Sequence, residues 1–151
     1  MSDLQPVPVR VVRRYNAKKE LVYMEHLYTD TNHCFLAMHF FYDNLGRRIR
    51  ETQDVDNERE RSHTETLIRY EENPDVMICE SVTHYDFSAW GLRDERTVDY
   101  YSGTAMLEET YDLETGELKS VQDFDPCEDF FREITYHPDG SVDVEFEDDI
   151  C

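Results

Sequence analysis

The chain has 151 residues, of which 39% are apolar, 13% aromatic and 33% charged, and its formal net charge is −20. This length is close to the commonest domain size and allows one hydrophobic core. Ten Tyr and eight Phe residues exclude an acidic disordered chain, because such chains are poor in aromatic residues. We therefore predict one folded domain over residues 1–151.

The first residues and the cysteines are used to predict the cellular compartment. Met1–Pro6 has neither the basic nor the apolar segment of a signal peptide. The longest apolar run, Cys34–Met38, is too short to span a bilayer. The four cysteines are widely scattered, without the closely spaced pairs of a zinc site. These features predict a cytoplasmic protein with free thiols, no metal, no cofactor and no membrane association.

Short runs rich in Val, Tyr, Phe and Thr, separated by turn residues, predict a mainly β protein. We expect an antiparallel meander of about ten strands, arranged as a curved sheet, a sandwich or a partly closed barrel. In chain order, the segments read as strands are Val7–Tyr15, Glu20–Thr29, Cys34–Tyr42, Arg47–Gln53, Ser62–Tyr70, Val76–Tyr85, Arg93–Tyr101, Thr104–Tyr111, Glu117–Phe124, Phe131–Tyr136 and Ser141–Phe146.

Two segments do not fit the strand pattern. Asp54–Arg61 is dense in charge and is interpreted as a loop or a short exposed helix. Asp125–Glu128 has the features of a helix start, with Asp before Pro and an acid two positions later. Phe130, Phe131 and Ile134 would then form an apolar stripe on one or two helical turns.

A turn pattern occurs three times. Tyr42–Ile49 reads YDNLGRRI, Tyr111–Leu118 reads YDLETGEL, and Tyr136–Val142 is a looser copy that reads YHPDGSV. The Asp side chain is suited to capping a turn, and Gly to a positive φ, so we expect Gly46 and Gly116 in the left-handed region. These segments resemble the YD repeats of Rhs-type toxin and wall-associated proteins. The resemblance implies successive β-hairpins.

Two predicted strands, Glu20–Thr29 and Cys34–Tyr42, are apolar on both faces. Three interpretations are open: these strands are central in a two-layer structure, line a cavity, or meet another chain. In Ser141–Phe146, by contrast, Val142, Val144 and Phe146 alternate with acids, which predicts a half-buried strand with an acidic solvent face.

No constellation of residues points to catalysis. Acidic residues occur throughout, so no pair stands out as a general acid and base. The six histidines have no metal-ligand spacing, and the five glycines are isolated, which excludes a phosphate-binding loop. We expect a protein that is not an enzyme.

The charge is unevenly distributed. Residues 1–50 carry a net charge of +3, whereas residues 108–149 hold sixteen acids against two basic residues. This polarity favours a directed acidic surface for a basic partner. We predict that surface at Glu128, Asp129, Asp143, Glu145 and Glu147. Trp90 lies in an apolar loop and is either a plug over one end of the core or an anchor for the partner.

In size, acidity and predicted β content, the chain broadly resembles bacterial immunity proteins. This resemblance implies an inhibitor that blocks a basic partner, such as a nuclease toxin or a nucleic-acid-binding enzyme, and does not itself bind nucleic acid. The alternatives are a phage-type nucleic-acid mimic, a calycin-like barrel that binds a small molecule, and a homodimeric structural protein. An immunity protein needs one acidic patch with an apolar centre, whereas a mimic needs acids along an extended line.

Overall fold

The computed structural model describes residues 8–72, 75–125 and 130–147, which form eleven β-strands and no helix. The strands are β1 Val9–Tyr15, β2 Leu21–Tyr28, β3 Cys34–Tyr42, β4 Arg48–Asp56, β5 Glu60–Tyr70, β6 Val76–Ser88, β7 Glu95–Ser102, β8 Ala105–Asp112, β9 Leu118–Asp125, β10 Phe130–Tyr136 and β11 Val142–Glu147. They form one antiparallel meander sheet whose strand order follows the sequence. The predicted all-β meander is confirmed.

The strand order begins at β1 and ends at β11, so the sheet is not closed into a barrel over the described residues. A closed barrel is therefore excluded for these strands, and binding of a small molecule stays an open alternative. Nowhere in the described ranges is there a helix that is long and apolar enough to cross a membrane.

Residue contacts group the chain into two compact units. The first comprises Met1–Glu65 and Tyr85–Leu92, and the second comprises Thr66–His84 and Arg93–Cys151. Strands β5 and β6 contribute residues to both units. The single domain over residues 1–151 stays a prediction.

The turn between β3 and β4 shows why the strands end where they do. Asp43 Oδ1 accepts hydrogen bonds from the backbone N–H groups of Leu45 and Arg47, each at 2.9 Å. The bond from Arg47 is the main reason that the pKa of Asp43 is lowered. Gly46 has a φ of +78°, as the sequence pattern predicts.

The turn between β8 and β9 is built in the same way. Asp112 Oδ1 accepts a hydrogen bond from the backbone N–H of Thr115 at 2.9 Å, and this bond lowers the pKa of Asp112. Gly116 has a φ of +75°, which confirms the second predicted position. An acceptor side chain at the strand end and a glycine at positive φ thus close both hairpins.

A further copy of this turn, between β1 and β2, is not apparent from the sequence motif. Asn16 Oδ1 accepts hydrogen bonds from the N–H groups of Lys18 and Glu20 at 2.9 and 3.0 Å, as Asp43 does from the equivalent residues. Lys19 stands where Gly46 stands in the β3–β4 turn, with a φ of +65°. A lysine therefore holds a backbone conformation that side chains with a Cβ atom rarely adopt.

Replacing Lys19 by Gly should stabilise the protein by about 0.5–1 kcal/mol, because glycine takes positive φ without steric cost. Lys18→Gly is the matched control: Lys18 is outside the left-handed region, so this change only loosens the unfolded chain and should lower stability. Urea unfolding of the two variants measures the difference. Equal effects of both changes would contradict the assigned turn.

The charged segment Asp54–Arg61, predicted as a loop or a short exposed helix, lies largely in strands. Strand β4 continues to Asp56, and β5 begins at Glu60. Val55 stands opposite Leu36 of β3, and Asp54 Oδ1 lies 2.7 Å from His63 Nδ1. The acids alternate with Val55 and find a partner across the hairpin, so charge density here is compatible with a strand.

The predicted helical turns after Asp125 are also wrong where the structure describes them. Residues 126–129 lie outside the described residues, but Phe130–Tyr136 is strand β10. Phe131 stands opposite Phe124 of β9, with their ring centroids 6.3 Å apart. Pairing with β9 therefore outweighs the local helix-start signal.

Few apolar side chains are buried in the described part of the chain, and none of the described ones is fully buried. The buried ones are Leu27 and Phe40 in the first unit, and Cys79 and Val98 in the second. Most other side chains of the central strands are half-buried. The three interpretations of the doubly apolar strands β2 and β3 stay open.

Arginines of β4 cover aromatic rings of β3. The Arg48 guanidinium carbon lies 4.1 Å from the Phe40 ring centroid, and that of Arg50 lies 4.8 Å from the Phe41 ring centroid. A guanidinium group over a ring shields its face from water and adds a cation–π attraction. Part of the positive charge in residues 1–50 thus serves the packing of the first unit.

Candidate functional site

Trp90 lies in the first unit, on a tight turn that follows β6. The Ser88 hydroxyl accepts hydrogen bonds from the N–H groups of Trp90 and Leu92, both at 3.2 Å. Gly91 has a φ of +68° and donates its N–H to the Ser88 carbonyl at 3.1 Å. The Trp90 side chain is 63% exposed, so it does not plug the core.

Trp90 borders an open groove of about 920 Å³ in the first unit. We call this the Trp90 groove and define it by Trp90, Tyr28 and four acids, Asp30, Asp56, Glu58 and Glu60. Arg59 is the one lysine or arginine among the lining residues, so the groove has a formal net charge of −3. The groove therefore combines an exposed indole with a strongly acidic wall.

The acidic wall comes mainly from the turn between β4 and β5. Asn57 Oδ1 accepts hydrogen bonds from the N–H groups of Arg59 and Glu60 at 2.8 and 2.9 Å. The Arg59 carbonyl accepts the N–H of Ala89 at 2.7 Å. This bond ties the acidic turn to the turn that carries Trp90, so the backbone itself sets the two sides of the groove.

Tyr28 and His33 also line the groove. The rings of Tyr28 and Phe35 stack with centroids 4.3 Å apart, and His33 stacks on Tyr28 at 6.3 Å. His33 Nε2 also lies 2.8 Å from the Asp56 carbonyl oxygen. These contacts hold Tyr28 and His33 in place beside the acids.

The groove already contains one cation beside the indole. The Arg59 guanidinium carbon lies 6.0 Å from the Trp90 ring centroid, at the outer limit of a cation–π contact. The geometry therefore allows a guanidinium group to approach this indole.

The predicted acidic site residues belong to the second unit or lie outside the described residues. Glu128 and Asp129 fall in residues 126–129, which the structure does not describe, and Glu147 is the last residue of β11. Asp143 and Glu145 are exposed and share one face of β11. Asp143 Oδ2 lies 2.6 Å from His137 Nε2.

The other face of β11 differs from the prediction of a half-buried strand. Val142 is 48% exposed and Val144 is 60% exposed. Strand β11 ends the strand order, so only one neighbouring strand covers its side chains. Both faces of this strand, apolar and acidic, are therefore open to solvent at the described positions.

A row of acids crosses the second unit, and sequence reasoning missed it. Asp99 of β7 stands opposite Glu108 of β8, which stands opposite Gln122 of β9. The row continues through Glu133 of β10 to Glu145 of β11. Directly paired residues point to the same face of a sheet, so four carboxylates and one amide lie side by side.

Crowding in this row changes the protonation of Asp99. Burial, followed by the hydrogen bond and negative charge of Glu108, raises the pKa of Asp99 to about 7. Asp99 Oδ1 is buried without a hydrogen-bond partner. Below about pH 7, Asp99 therefore holds a proton in the folded chain. The sequence does carry a signal for this pair. If β7 and β8 are paired across a turn at Gly103 and Thr104, Asp99 stands opposite Glu108.

Elsewhere, the described residues contain no group of three His, Cys, Asp or Glu side chains that could hold a metal ion. The chain matches no protein-family model, no curated protein and no solved structure. The resemblances to YD repeats and to immunity proteins stay predictions. The Trp90 groove and the acid row are thus the two candidate binding surfaces of the described residues.

Proposed function

We propose that this chain is a non-enzymatic acidic binding protein of the immunity type, which inhibits a basic protein partner such as a nuclease toxin. The observation that carries the proposal is the Trp90 groove, where an exposed indole stands among four carboxylates. This is the acidic patch with an apolar centre that such an inhibitor needs. Tryptophan is among the residues that most often dominate binding energy at interfaces.

The groove suits an arginine-bearing segment of the partner. A guanidinium group can stack on the indole while its N–H groups bond to carboxylates, and both contacts strengthen as water is excluded. Asp56 and Glu58 are exposed and within the groove. Arg59 lies beside the same ring and would yield its place or share the ring with the incoming cation.

The charge of the whole chain supports fast capture of such a partner. A net charge of −20 attracts cationic proteins over distances of the order of the Debye length, about 10 Å at 0.1 M salt. Electrostatic attraction of this kind mainly raises the association rate. An inhibitor that must neutralise a toxin benefits from this rate.

The acid row favours a second candidate function, the nucleic-acid mimic. Neighbouring strands lie about 4.8 Å apart, so carboxylates on successive strands form an extended line. Gln122 interrupts that line between Glu108 and Glu133. We favour the immunity-type inhibitor because the Trp90 groove supplies an apolar centre, which a phosphate mimic does not need.

The test uses Trp90 as its own reporter, since the chain contains one tryptophan. An arginine-rich peptide should change the fluorescence of Trp90, and a neutral peptide of equal length should not. Glu58→Lys should weaken peptide binding by about tenfold. Glu72→Lys carries the same charge change at an exposed acid of the second unit and is the matched control.

Trp90→Ala complements this test, with binding then followed by calorimetry. Loss of the indole should weaken binding by about tenfold or more, as for an interface anchor. Equal binding by wild-type protein, Trp90→Ala and Glu58→Lys would refute the groove as the docking site. A loss that Glu72→Lys reproduces would show that only net charge matters.

A further inference from the structure

Strands β1 and β11, the first and last in the sheet, carry charges of opposite sign. No described strand pairs with the outer edge of β1 or with the outer edge of β11. β1 carries Arg10, Arg13 and Arg14, whereas β11 carries Asp143 and Glu145. Exposed strand edges are templates for pairing with another chain, and charge decides which chain is accepted.

The hydrogen bonds of β1 show which backbone groups point outward. The Pro8 carbonyl accepts the N–H of Thr29 at 3.0 Å, so the backbone groups of even-numbered residues in β1 face β2. Successive residues alternate in direction along an antiparallel edge. Val9, Val11 and Arg13 therefore present their N–H and C=O groups to the outside.

The same reasoning applies to β11. The Ser141 carbonyl accepts the N–H of His137 at 2.9 Å, and the pairing with β10 continues without a register shift. The odd-numbered residues of β11 therefore bond to β10. Val142 and Val144 present their N–H and C=O groups to the outside.

These directions determine which side chains would meet if β1 paired with β11. In an antiparallel pair, residues with outward backbone groups stand opposite one another, and opposed side chains share a face. Val9 and Val11 must then lie on the same face as Val142 and Val144. This face would bury valines that are exposed in the single chain: Val9 is 47% and Val144 60% exposed.

The opposite face would pair charges of opposite sign. Arg10 and Arg14 must lie on the face that carries Asp143 and Glu145, whatever the register. When Val9 stands opposite Val144 and Val11 opposite Val142, Arg10 stands opposite Asp143. Glu145 stands opposite Glu133 within its own chain, so an arginine beside it would also offset this repulsion.

Pairing of like edges is disfavoured by the same rule. Two β11 strands would set acids against acids, and two β1 strands would set arginines against arginines. Opposite edges are thus the one combination that matches in hydrogen bonding, in apolar contact and in charge.

We propose that a second copy of this chain adds its β1 strand to the outer edge of β11, so that one sheet continues into the next. The interface joins two different surfaces, so it builds a ring if the rotation closes and an open filament if it does not. The contact is small and each copy carries a net charge of −20, so it forms at high protein concentration and at about 0.15 M salt, where a Debye length of about 8 Å screens the repulsion between whole copies. It involves β1 and β11 and does not rest on the Trp90 groove.

Charge reversal on either edge tests the proposal, with mass measured by light scattering at about 0.15 M salt. Wild-type protein should associate as its concentration rises. Arg10→Glu/Arg14→Glu should lower the association constant by about tenfold or more, and so should Asp143→Lys/Glu145→Lys. An equimolar mixture of the two variants should associate again, because each altered edge then meets an edge of opposite charge.

A backbone variant keeps the test decisive if charge reversal disturbs folding. Val144→Pro removes an outward N–H and should abolish association, whereas Val144→Thr retains it and should associate. Trp90→Ala should associate like the wild-type protein, which separates this interface from the docking site. A wild-type chain that stays monomeric, or a mixture of reversed variants that does, would overturn the proposal.

Discussion

Asp99→Asn should stabilise the protein by about 1–2 kcal/mol at about pH 8, and this gain should fade as the pH falls. Near Glu108, the ionised form of Asp99 is disfavoured, with its pKa raised to about 7. Asparagine can donate a hydrogen bond to Glu108 at every pH and carries no charge. The expected gain is well below what the full shift would give, because Asp99 is only partly buried.

The change in stability with pH follows from proton linkage. Between pH 3.8 and about pH 7, the folded chain holds a proton on Asp99 that the unfolded chain has released. The wild-type protein therefore loses stability as the pH rises through this window, and the loss is constant above it. The advantage of Asp99→Asn should grow over the same window.

Urea unfolding at several pH values measures this difference, with Asp86→Asn as the control at an exposed position of β6. The control should show no such window. If the two variants changed in parallel with pH, the raised pKa of Asp99 would be excluded.

Gly46→Val and Gly116→Val should each destabilise the protein by about 2 kcal/mol. Both glycines have a positive φ, where a β-branched residue is strongly disfavoured. A Cβ atom at position 46 would also lie 3.4 Å from Glu20 Oε2, whereas at position 116 it would meet no atom within 4 Å. A 3.4 Å approach to the end of the Glu20 side chain is an ordinary contact, so backbone strain accounts for the cost at both positions.

Asn44→Val is the matched control for this pair, since Asn44 lies in the same turn outside the left-handed region. It should cost clearly less than Gly46→Val in thermal unfolding. Unchanged melting temperatures for both glycine variants would mean that these turns do not hold the hairpins.

The hairpins were predictable because their signals are local. Tyr-Asp followed by Gly marks the β3–β4 and β8–β9 turns, and runs of Val, Tyr and Phe mark the strands between them. The β1–β2 turn follows the same hydrogen-bond pattern but was missed as a copy, because Lys19 stands in the glycine position. Local signals failed where pairing decides: the Asp125-Pro126 pair favours a helix after it, but Phe130–Tyr136 is strand β10.

The candidate surfaces were harder to predict, because they depend on residues distant in sequence. Asp30, Asp56 and Trp90 meet only once β2, β4 and β6 are in place. The acid row requires the register of five strands, from Asp99 to Glu145. The sequence predicts Trp90 as either a plug over the core or an anchor for a partner, and its 63% exposure excludes the plug.

The central claim is that the chain inhibits a basic partner through the Trp90 groove. The most direct test uses a basic protein, taken from a lysate of the source organism, that the wild-type chain retains and the Trp90→Ala chain does not. Its enzymatic activity is measured as the wild-type chain is titrated into it. We predict a loss of activity that is complete at equimolar chain, and a much weaker loss with Trp90→Ala. Full activity at saturating wild-type chain, or equal inhibition by both chains, would contradict inhibition through the Trp90 groove.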